Sequence, residues 1–238
     1  MFKYLKLHKP KSSASSANAA VARLLTTLKN MGMTPRHIVD IGANHGGWSR
    51  TALSIFPQAY LSIFEPQQRL AKYLADLKRN PNIKIHYKGV GDFNGTAPFT
   101  FHDRDDSCSF IYVTEDAQER GFSQSEIEIC KLDTIMRNCD FGAADIVKID
   151  AEGLDLQVLD GAGETLSTTE IVLIEASVSN PDYPNSVIAV IQKMDFLGFR
   201  LFDLTDLNRT PNRNLLWLVE AVFVRKGSAI DMAASTFN

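Results

Sequence analysis

The chain has 238 residues, of which 45% are hydrophobic and 22% are charged, a composition typical of folded globular proteins and unlike that of disordered chains. Its 25 Lys and Arg residues against 28 Asp and Glu residues leave a formal net charge of −3, which provides no general positive field for holding a nucleic acid. The length and composition therefore predict one large domain with a substantial core and no nucleic-acid partner.

Residues 1–33 are predicted to form a basic arm followed by a helix. Lys3, Lys6 and Lys9 interrupt the apolar run that a secretory signal requires. From Val21 onward, apolar residues at i, i+3, i+4 and i+7 predict an amphipathic helix. The longest nearly apolar stretch, 215–224, is shorter than the roughly 20 residues needed to cross a bilayer, so no membrane insertion is expected. Three cysteines without CxxC spacing favour reduced thiols, which is typical of a cytoplasmic protein.

Short β-rich runs alternate with segments of helical periodicity through most of the remaining chain. The runs lie at 37–41, 59–64, 83–88, 145–150 and 171–175. The clearest helical pattern follows Pro66, where Leu70, Tyr73, Leu74 and Leu77 would share one stripe. This alternation predicts an α/β fold built from βαβ units around a largely parallel sheet.

Two regions depart from this alternation. Residues 92–133 contain an Asn94-Gly95 turn signal between β-like runs and predict a β-hairpin insertion that carries a loop. The runs 199–204 and 215–224 have no helix between them and predict an antiparallel C-terminal hairpin. The main domain is therefore expected over 34–226, with a flexible tail over 227–238. The predicted N-terminal helix and the C-terminal hairpin offer surfaces for homo-oligomer formation.

The most specific motif is HIVDIGANHGGWS, in which an apolar strand carries Asp40 near its end and leads into Gly42 and Gly46. Such a turn lets the backbone approach a ligand at the carboxyl end of a strand. A dinucleotide fingerprint requires glycine where Asn44 stands, so the match to NAD is poor. The motif instead suits the amino-acid end of S-adenosylmethionine, because it combines an acidic residue with two glycines and a free helix N-terminus. Glu65, after the next strand, could accept hydrogen bonds from the ribose hydroxyls.

The residues VDIGANHGGWS, FEP, GVGDFNG, KLDTI and KIDAEGLDLQVLDGA resemble motifs of the FkbM-type S-adenosylmethionine-dependent methyltransferases, over about residues 34–225. This resemblance implies a Rossmann-like class I methyltransferase fold, S-adenosylhomocysteine as a product, and methylation of a hydroxyl on a saccharide or small natural product. The glycine motif and the resemblance together give these candidate cofactor-binding residues: Asp40, Gly42, Ala43, Asn44, Gly46, Glu65, Pro66, Gly91 and Asp92.

Three residues of the KIDAEG motif are candidates for catalysis. Asp150 ends an apolar strand, and either it or Glu152 could bind the acceptor or remove its proton. The structural alternative for Glu152 is compensation of a helix dipole in the first turn of the next helix. Lys148 lies in a run that should be buried, and Glu175 is its expected partner, in a pair that is either structural or lowers the lysine pKa for catalysis.

No metal site is predicted. The acidic segment at 102–110 offers oxygen ligands, but its spacing matches no metal motif, and a solvated hairpin tip explains it better. A divalent cation is therefore not expected to be required. Two alternatives to methyl transfer remain open at this point, a dinucleotide-dependent oxidoreductase and a non-catalytic module that only binds the cofactor.

Overall fold

The computed structural model describes residues 14–180 and 183–234. Its strands β1 to β10 are His37–Ile41, Tyr60–Phe64, Ile83–His86, Gly89–Val90, Gly95–Phe101, Ser123–Cys130, Ile146–Ile149, Ile171–Ser177, Phe199–Arg209 and Leu216–Arg225. Its helices α1 to α8 are Ala14–Asn30, Gly47–Ile55, Thr114–Glu119, Leu132–Met136, Asp155–Asp160, Gly163–Thr168, Val187–Phe196 and Ala229–Ala234.

Seven strands form the central sheet in the order β3-β2-β1-β7-β8-β10-β9. The first five of these run parallel, and β10 is antiparallel to both of its neighbours. The predicted fold is thus confirmed: a mostly parallel sheet that ends in an antiparallel hairpin. In such a sheet the carboxyl ends of β1, β2, β7 and β8 lie along one edge, where open α/β sheets bind ligands.

Alternate residues of the sheet enter two separate cores, one on each face. In β8, Ile171 and Leu173 belong to the core under α1 and α2, whereas Val172 and Ile174 belong to the core on the other face. All four side chains are fully buried. Burial on both faces explains why these strands read as continuous apolar runs instead of alternating patterns.

The insertion between β3 and α4 forms a small three-stranded sheet of its own, in the order β4-β6-β5. Strands β5 and β6 pair antiparallel from Gly95↔Ile129 to Phe101↔Ser123, which confirms the predicted β-hairpin insertion. Gly95 begins β5, however, and the loop that connects the hairpin spans residues 102–122 and includes α3. The Asn94-Gly95 signal therefore marks the entry into the hairpin and not its turn.

Two segments differ locally from the sequence prediction. After Pro66 the chain forms short 3₁₀ helices, Gln68–Leu74 and Leu77–Arg79, and not one regular α-helix. Tyr73 is 41% exposed and lies off the buried face. Beyond β10, helix α8 occupies part of the predicted flexible tail, and its Ile230 packs into the core with 2% exposure.

The N-terminal helix is present as α1, and its predicted stripe of Val21, Leu24, Leu25 and Leu28 is buried. The predicted basic arm lies outside the described residues, as does the end of the predicted tail, 235–238. None of the helices within the described ranges is long and apolar enough to cross a membrane.

Candidate active site

The loop after β1 is held by backbone contacts with neighbouring strands. The amides of Gly42 and Ala43 both donate to the carbonyl oxygen of Phe64, at 2.9 and 3.1 Å. Gly42 has a φ of +74°, and a Cβ built on it would overlap the carbonyl oxygen of Asp150. Only glycine satisfies both conditions, because other residues rarely adopt this φ and their side chains need space that is filled here. The glycine motif therefore reflects a close approach between the loops after β1 and β7.

Lys148 ties these two loops together from within the sheet. Its buried ammonium group donates to the carbonyl oxygens of Ile41 and Gly42, at 3.2 and 3.0 Å, and lies 3.4 Å from a carboxylate oxygen of each of Asp40 and Asp150. These are its ion pairs, so the expected pairing with Glu175 is wrong. The strand register explains this, because Asp40 of β1 lies directly opposite Lys148, whereas the residue opposite Lys148 on β8 is Leu173, two residues before Glu175.

The prediction that the pKa of Lys148 is lowered for catalysis is also wrong. Burial lowers the pKa of Lys148, but the carboxylates of Asp150 and Asp40 outweigh this effect, and the pKa is raised above its ordinary value. The group is therefore a permanent cation that neutralises two carboxylates. Asp40 has 0% exposure and also accepts a hydrogen bond from Ser49 Oγ at 2.5 Å. Both residues support the glycine loop from behind.

Glu65 follows β2 and lies at the base of a cavity beside the glycine loop. Its two carboxylate oxygens accept hydrogen bonds from the backbone amides of Asn44 (2.7 Å) and Gln67 (2.8 Å). Burial raises the pKa of Glu65, and the two amide hydrogen bonds oppose this effect. Each carboxylate oxygen can accept a further hydrogen bond, so Glu65 retains capacity for hydroxyl donors.

The loop after β7 presents Glu152 in a strained backbone conformation. Glu152 has a φ of +48°, which is uncommon for a residue other than glycine, asparagine or aspartate. Asp155, which is 1% exposed, fixes this loop by accepting hydrogen bonds from the amides of Ala151 and Gly153, at 3.0 and 3.1 Å. Helix α5 begins only at Asp155, so the helix-dipole role considered for Glu152 is wrong. Backbone strain of this kind concentrates at functional sites.

Two cavities meet at Glu152. The smaller cavity lies between the glycine loop, Glu65 and the insertion, and the larger one has a volume of about 740 Å³. Asp150, Glu152 and Glu175 each present one carboxylate oxygen, and these three atoms lie within 4.8 Å of one another. Carboxylates so arranged can bind a hydroxyl and accept its proton, and they also offer the hard oxygen ligands that divalent cations prefer.

The predicted site residues divide into two groups. Those that line the smaller cavity are Gly42, Asn44, Glu65, Pro66, Asp150 and Glu152. Those that lie behind or beside it are Asp40, Ala43, Gly46, Gly91, Asp92 and Lys148. Among the second group, Asp92 is exposed, and Gly46 packs against the side chains of Leu74 and Leu77.

Sequence reasoning missed the contributions of Glu175 and of the insertion. Phe99, Cys108 and Phe110 provide an apolar wall of the smaller cavity opposite the sheet. Glu175 could have been found from the signal that identified Asp150, an acidic residue near the end of a buried strand. No local pattern marks the insertion residues, because their approach to the sheet depends on contacts between distant segments, such as the hydrogen bond from Gln67 Nε2 to the carbonyl oxygen of Asp105 (2.8 Å).

Comparison with known proteins identifies a family and one distant curated relative. A family model described as a methyltransferase FkbM domain matches residues 40–201. The 2-O-methyltransferase NoeI of Sinorhizobium fredii (strain NBRC 101917 / NGR234) is 24% identical over 152 residues. The match covers 59% of this chain and 63% of NoeI, so the chain spans less than two thirds of that relative.

Solved structures with the same fold have little sequence in common with this chain. A structure from Pyrococcus horikoshii, described as a candidate RNA methyltransferase (PH1948), has a TM-score of 0.50 and 14% identity, and covers 87% of this chain and 84% of its own. The StiE O-MT segment, residues 961–1257, has a TM-score of 0.50 and 12% identity, with coverage of 91% and 77%. These likenesses concern the fold alone. The family match, in contrast, spans more than half of the sequence and includes both the glycine motif and the KIDAEG motif, so the chain belongs to the FkbM methyltransferase family.

Proposed function

We propose that this protein is an S-adenosylmethionine-dependent methyltransferase that methylates a hydroxyl group of a saccharide or small natural-product acceptor. The observation that carries the proposal is the meeting of two cavities at Glu152, where three carboxylates converge. Membership of the FkbM family supports the reaction class. The name of NoeI, a 2-O-methyltransferase, supports a hydroxyl as the acceptor group.

The residues around the smaller cavity fit S-adenosylmethionine. Glu65 offers a buried carboxylate for the ribose hydroxyls, and the backbone at Gly42 and Asn44 can approach the methionine end. The apolar side chains of Phe99 and Phe110 suit an adenine ring. The cavity volume of about 90 Å³ is below the roughly 300 to 1,000 Å³ of small-molecule sites, so the site would have to widen to hold the whole cofactor.

The chemistry requires alignment of the acceptor, exclusion of water and removal of one proton. When bound, the cofactor would supply an electrophilic methyl group. Glu152 is the best candidate for the general base, because it lines both cavities, whereas Asp150 lines the smaller one and is held by Lys148. Glu175 lines the larger cavity and would orient the same hydroxyl.

The first test separates cofactor binding from turnover. Titration calorimetry of the whole chain with S-adenosylhomocysteine is expected to detect binding that weakens at least tenfold, about 1.4 kcal/mol, in Glu65→Ala. NAD serves as the competing ligand. Binding of NAD in place of S-adenosylhomocysteine would favour an oxidoreductase and contradict the proposal.

The second test measures release of S-adenosylhomocysteine with a panel of saccharides and hydroxylated natural products. The Glu152→Gln variant is expected to lose about 10²- to 10⁴-fold in kcat while its affinity for S-adenosylhomocysteine stays unchanged. Glu126→Gln, at an exposed position of β6, is the matched control. The assay is run once with EDTA and once with Mg²⁺. Equal rates are expected in the two, because the sequence predicts that no divalent cation is needed. Cofactor binding without turnover on any acceptor would instead favour a non-catalytic module.

A further inference from the structure

The larger cavity has one acidic wall and one wall rich in arginine. Its volume of about 740 Å³ is within the range of small-molecule sites. Glu152 and Glu175 line it from the carboxyl edge of the central sheet. Arg104 and Arg120 line it from the insertion, and Arg69 adds a third guanidinium group from the segment after β2. A ligand in this cavity would therefore meet groups of opposite charge on its two sides.

Two of the three guanidinium groups are already neutralised. Arg69 lies 2.7 Å from a carboxylate oxygen of Asp105, and Arg104 lies 2.6 Å from one of Asp106. The two aspartates line the adjoining smaller cavity, so each pair lies between the two cavities. The positive charges of the two arginines are consequently compensated before any ligand binds.

Arg120 differs from these two arginines. It directly follows α3, it is exposed, and it forms no ion pair with any residue of the described ranges. Its guanidinium carbon lies 5.7 Å from the ring centroid of Tyr112, which in turn packs edge-on against Phe122. A cation–π contact holds the guanidinium group over the cavity wall while leaving its N–H donors available.

The other polar groups of this wall do not compensate Arg120. Asp103 also lines the cavity but forms no ion pair with Arg120. Burial lowers the pKa of His102, and the neighbouring carboxylate of Asp103 opposes this effect only partly, so the imidazole is neutral at pH 7. The insertion wall therefore presents one available guanidinium group opposite the carboxylates of the sheet wall.

This inference rests on the proposed function. We infer that the larger cavity binds the methyl acceptor and that this acceptor carries an anionic group, a carboxylate or a phosphate, which Arg120 binds. The guanidinium group matches such anions with paired hydrogen bonds. The carboxylates of Glu152 and Glu175 repel the same anion and attract a hydroxyl donor. The two walls together fix the orientation of the acceptor, with its hydroxyl toward Glu152 and its anionic group toward Arg120.

The test uses the whole chain saturated with S-adenosylhomocysteine and three matched probes: glucose, glucuronate and glucose 6-phosphate. Binding of each probe is measured by ligand-observed NMR titration. At least one anionic probe is expected to bind tenfold or more tightly than glucose, and comparison of the two anions separates a carboxylate site from a phosphate site. In Arg120→Ala this preference is expected to disappear, whereas Arg120→Lys should retain part of it. Arg23→Ala, an exposed arginine on α1, is the matched control and should bind like the wild type.

Several outcomes would overturn the inference. These are equal or tighter binding of glucose by the wild type, an unchanged preference in Arg120→Ala, and no binding of either anion. Binding of S-adenosylhomocysteine, measured first on the same samples, keeps the two proposals apart. If the protein binds S-adenosylhomocysteine but shows no preference for the anionic probes, the inference fails and the proposed function stands. If the folded protein does not bind S-adenosylhomocysteine, the proposed function fails.

Discussion

The glycine loop after β1 and the arginine-rich insertion wall form the two sides of the candidate site, and they are built differently. The loop is fixed by backbone hydrogen bonds, a positive φ at Gly42 and the buried cation of Lys148. The insertion wall is formed by partly exposed side chains that pair locally, such as Arg104 with Asp106. Close backbone packing tolerates little change, whereas a side-chain surface can change its ligand without changing the fold. The comparison implies that substitutions in the glycine loop cost stability, whereas substitutions in the insertion wall change ligand contacts at little cost to the fold.

The largest expected effect of a single substitution is on the glycine loop. In Gly42→Ala the new methyl group would overlap the carbonyl oxygen of Asp150, and the backbone at φ +74° would also be strained. We expect a loss of more than about 4 kcal/mol in the free energy of unfolding, or failure to fold, and no binding of S-adenosylhomocysteine. Urea unfolding and titration calorimetry measure the two quantities.

Gly32→Ala is the matched control for this change. Gly32 has a φ of +96° but no atom within 4 Å of a built Cβ, so it isolates the cost of the conformation from the cost of the overlap. We expect Gly32→Ala to lose about 1 to 2 kcal/mol in the free energy of unfolding and to bind S-adenosylhomocysteine like the wild type. Equal effects of the two substitutions would mean that the approach of Asp150 to the loop is not tight, and the contrast between the two sides of the site would lose its main support.

The second prediction concerns Lys148 as a positioning residue. In Lys148→Met the buried carboxylate of Asp40 loses its cation, and the carbonyl oxygen of Gly42 loses a donor. We expect a loss of about 3 to 5 kcal/mol in the free energy of unfolding, because an unpaired charge remains buried. Lys193→Met, which removes a solvent-accessible ion pair with Asp160, is the control and should lower the free energy of unfolding by less than about 1 kcal/mol.

The double variant Asp40→Asn with Lys148→Met separates stability from positioning. Removal of the Asp40 charge should restore part of the lost stability, because the fully buried carboxylate is gone and only the partly exposed Asp150 remains without its cation. Both Lys148→Met and the double variant should bind S-adenosylhomocysteine more weakly than the wild type, because in both the carbonyl oxygen of Gly42 lacks the hydrogen bond from Lys148. Recovery of both quantities together would assign Lys148 a purely structural role.

The same contrast explains what the sequence could predict. The sequence predicts strands β1 and β8 because each is buried on both faces of the sheet and is largely apolar; in β8, Leu173 enters one core and Val172 the other. The sequence predicts Gly42 because the glycine motif is local, although the close contact that requires glycine there comes from the distant Asp150. In contrast, the predicted partner of Lys148 is wrong, because β7 is adjacent to both β1 and β8 and only the strand register places Asp40 directly opposite Lys148 and Glu175 two residues further along. The role of Arg120 has no sequence signal, because it depends on Tyr112 and on ion pairs formed elsewhere in the wall.

The smallest expected effect is a pH dependence of stability that arises at Glu220, the cross-strand neighbour of Glu175. Glu220 lies on β10, where Thr205 donates a hydrogen bond to its carboxylate at 2.7 Å. Burial raises the pKa of Glu220 from its ordinary value of 4.5 to about 7. The folded state therefore binds this proton more tightly than the unfolded state does. Its contribution to stability is fully present below pH 4.5 and is lost as the pH rises through about 7.

Glu220→Gln removes this titration and should flatten the pH dependence of the free energy of unfolding. Relative to the variant, the wild type is expected to lose up to about 3 kcal/mol between pH 4.5 and pH 8, since each pKa unit corresponds to about 1.4 kcal/mol. Urea unfolding at four pH values measures the difference, and Glu126→Gln controls for removal of an exposed carboxylate. Parallel curves for the wild type and Glu220→Gln would mean that Glu220 is ionised at pH 7 with little cost, as an exposed carboxylate would be. Glu220 would then add a negative charge beside Glu175 at neutral pH, which would strengthen the repulsion of an anionic group by the acidic wall and sharpen its contrast with the insertion wall.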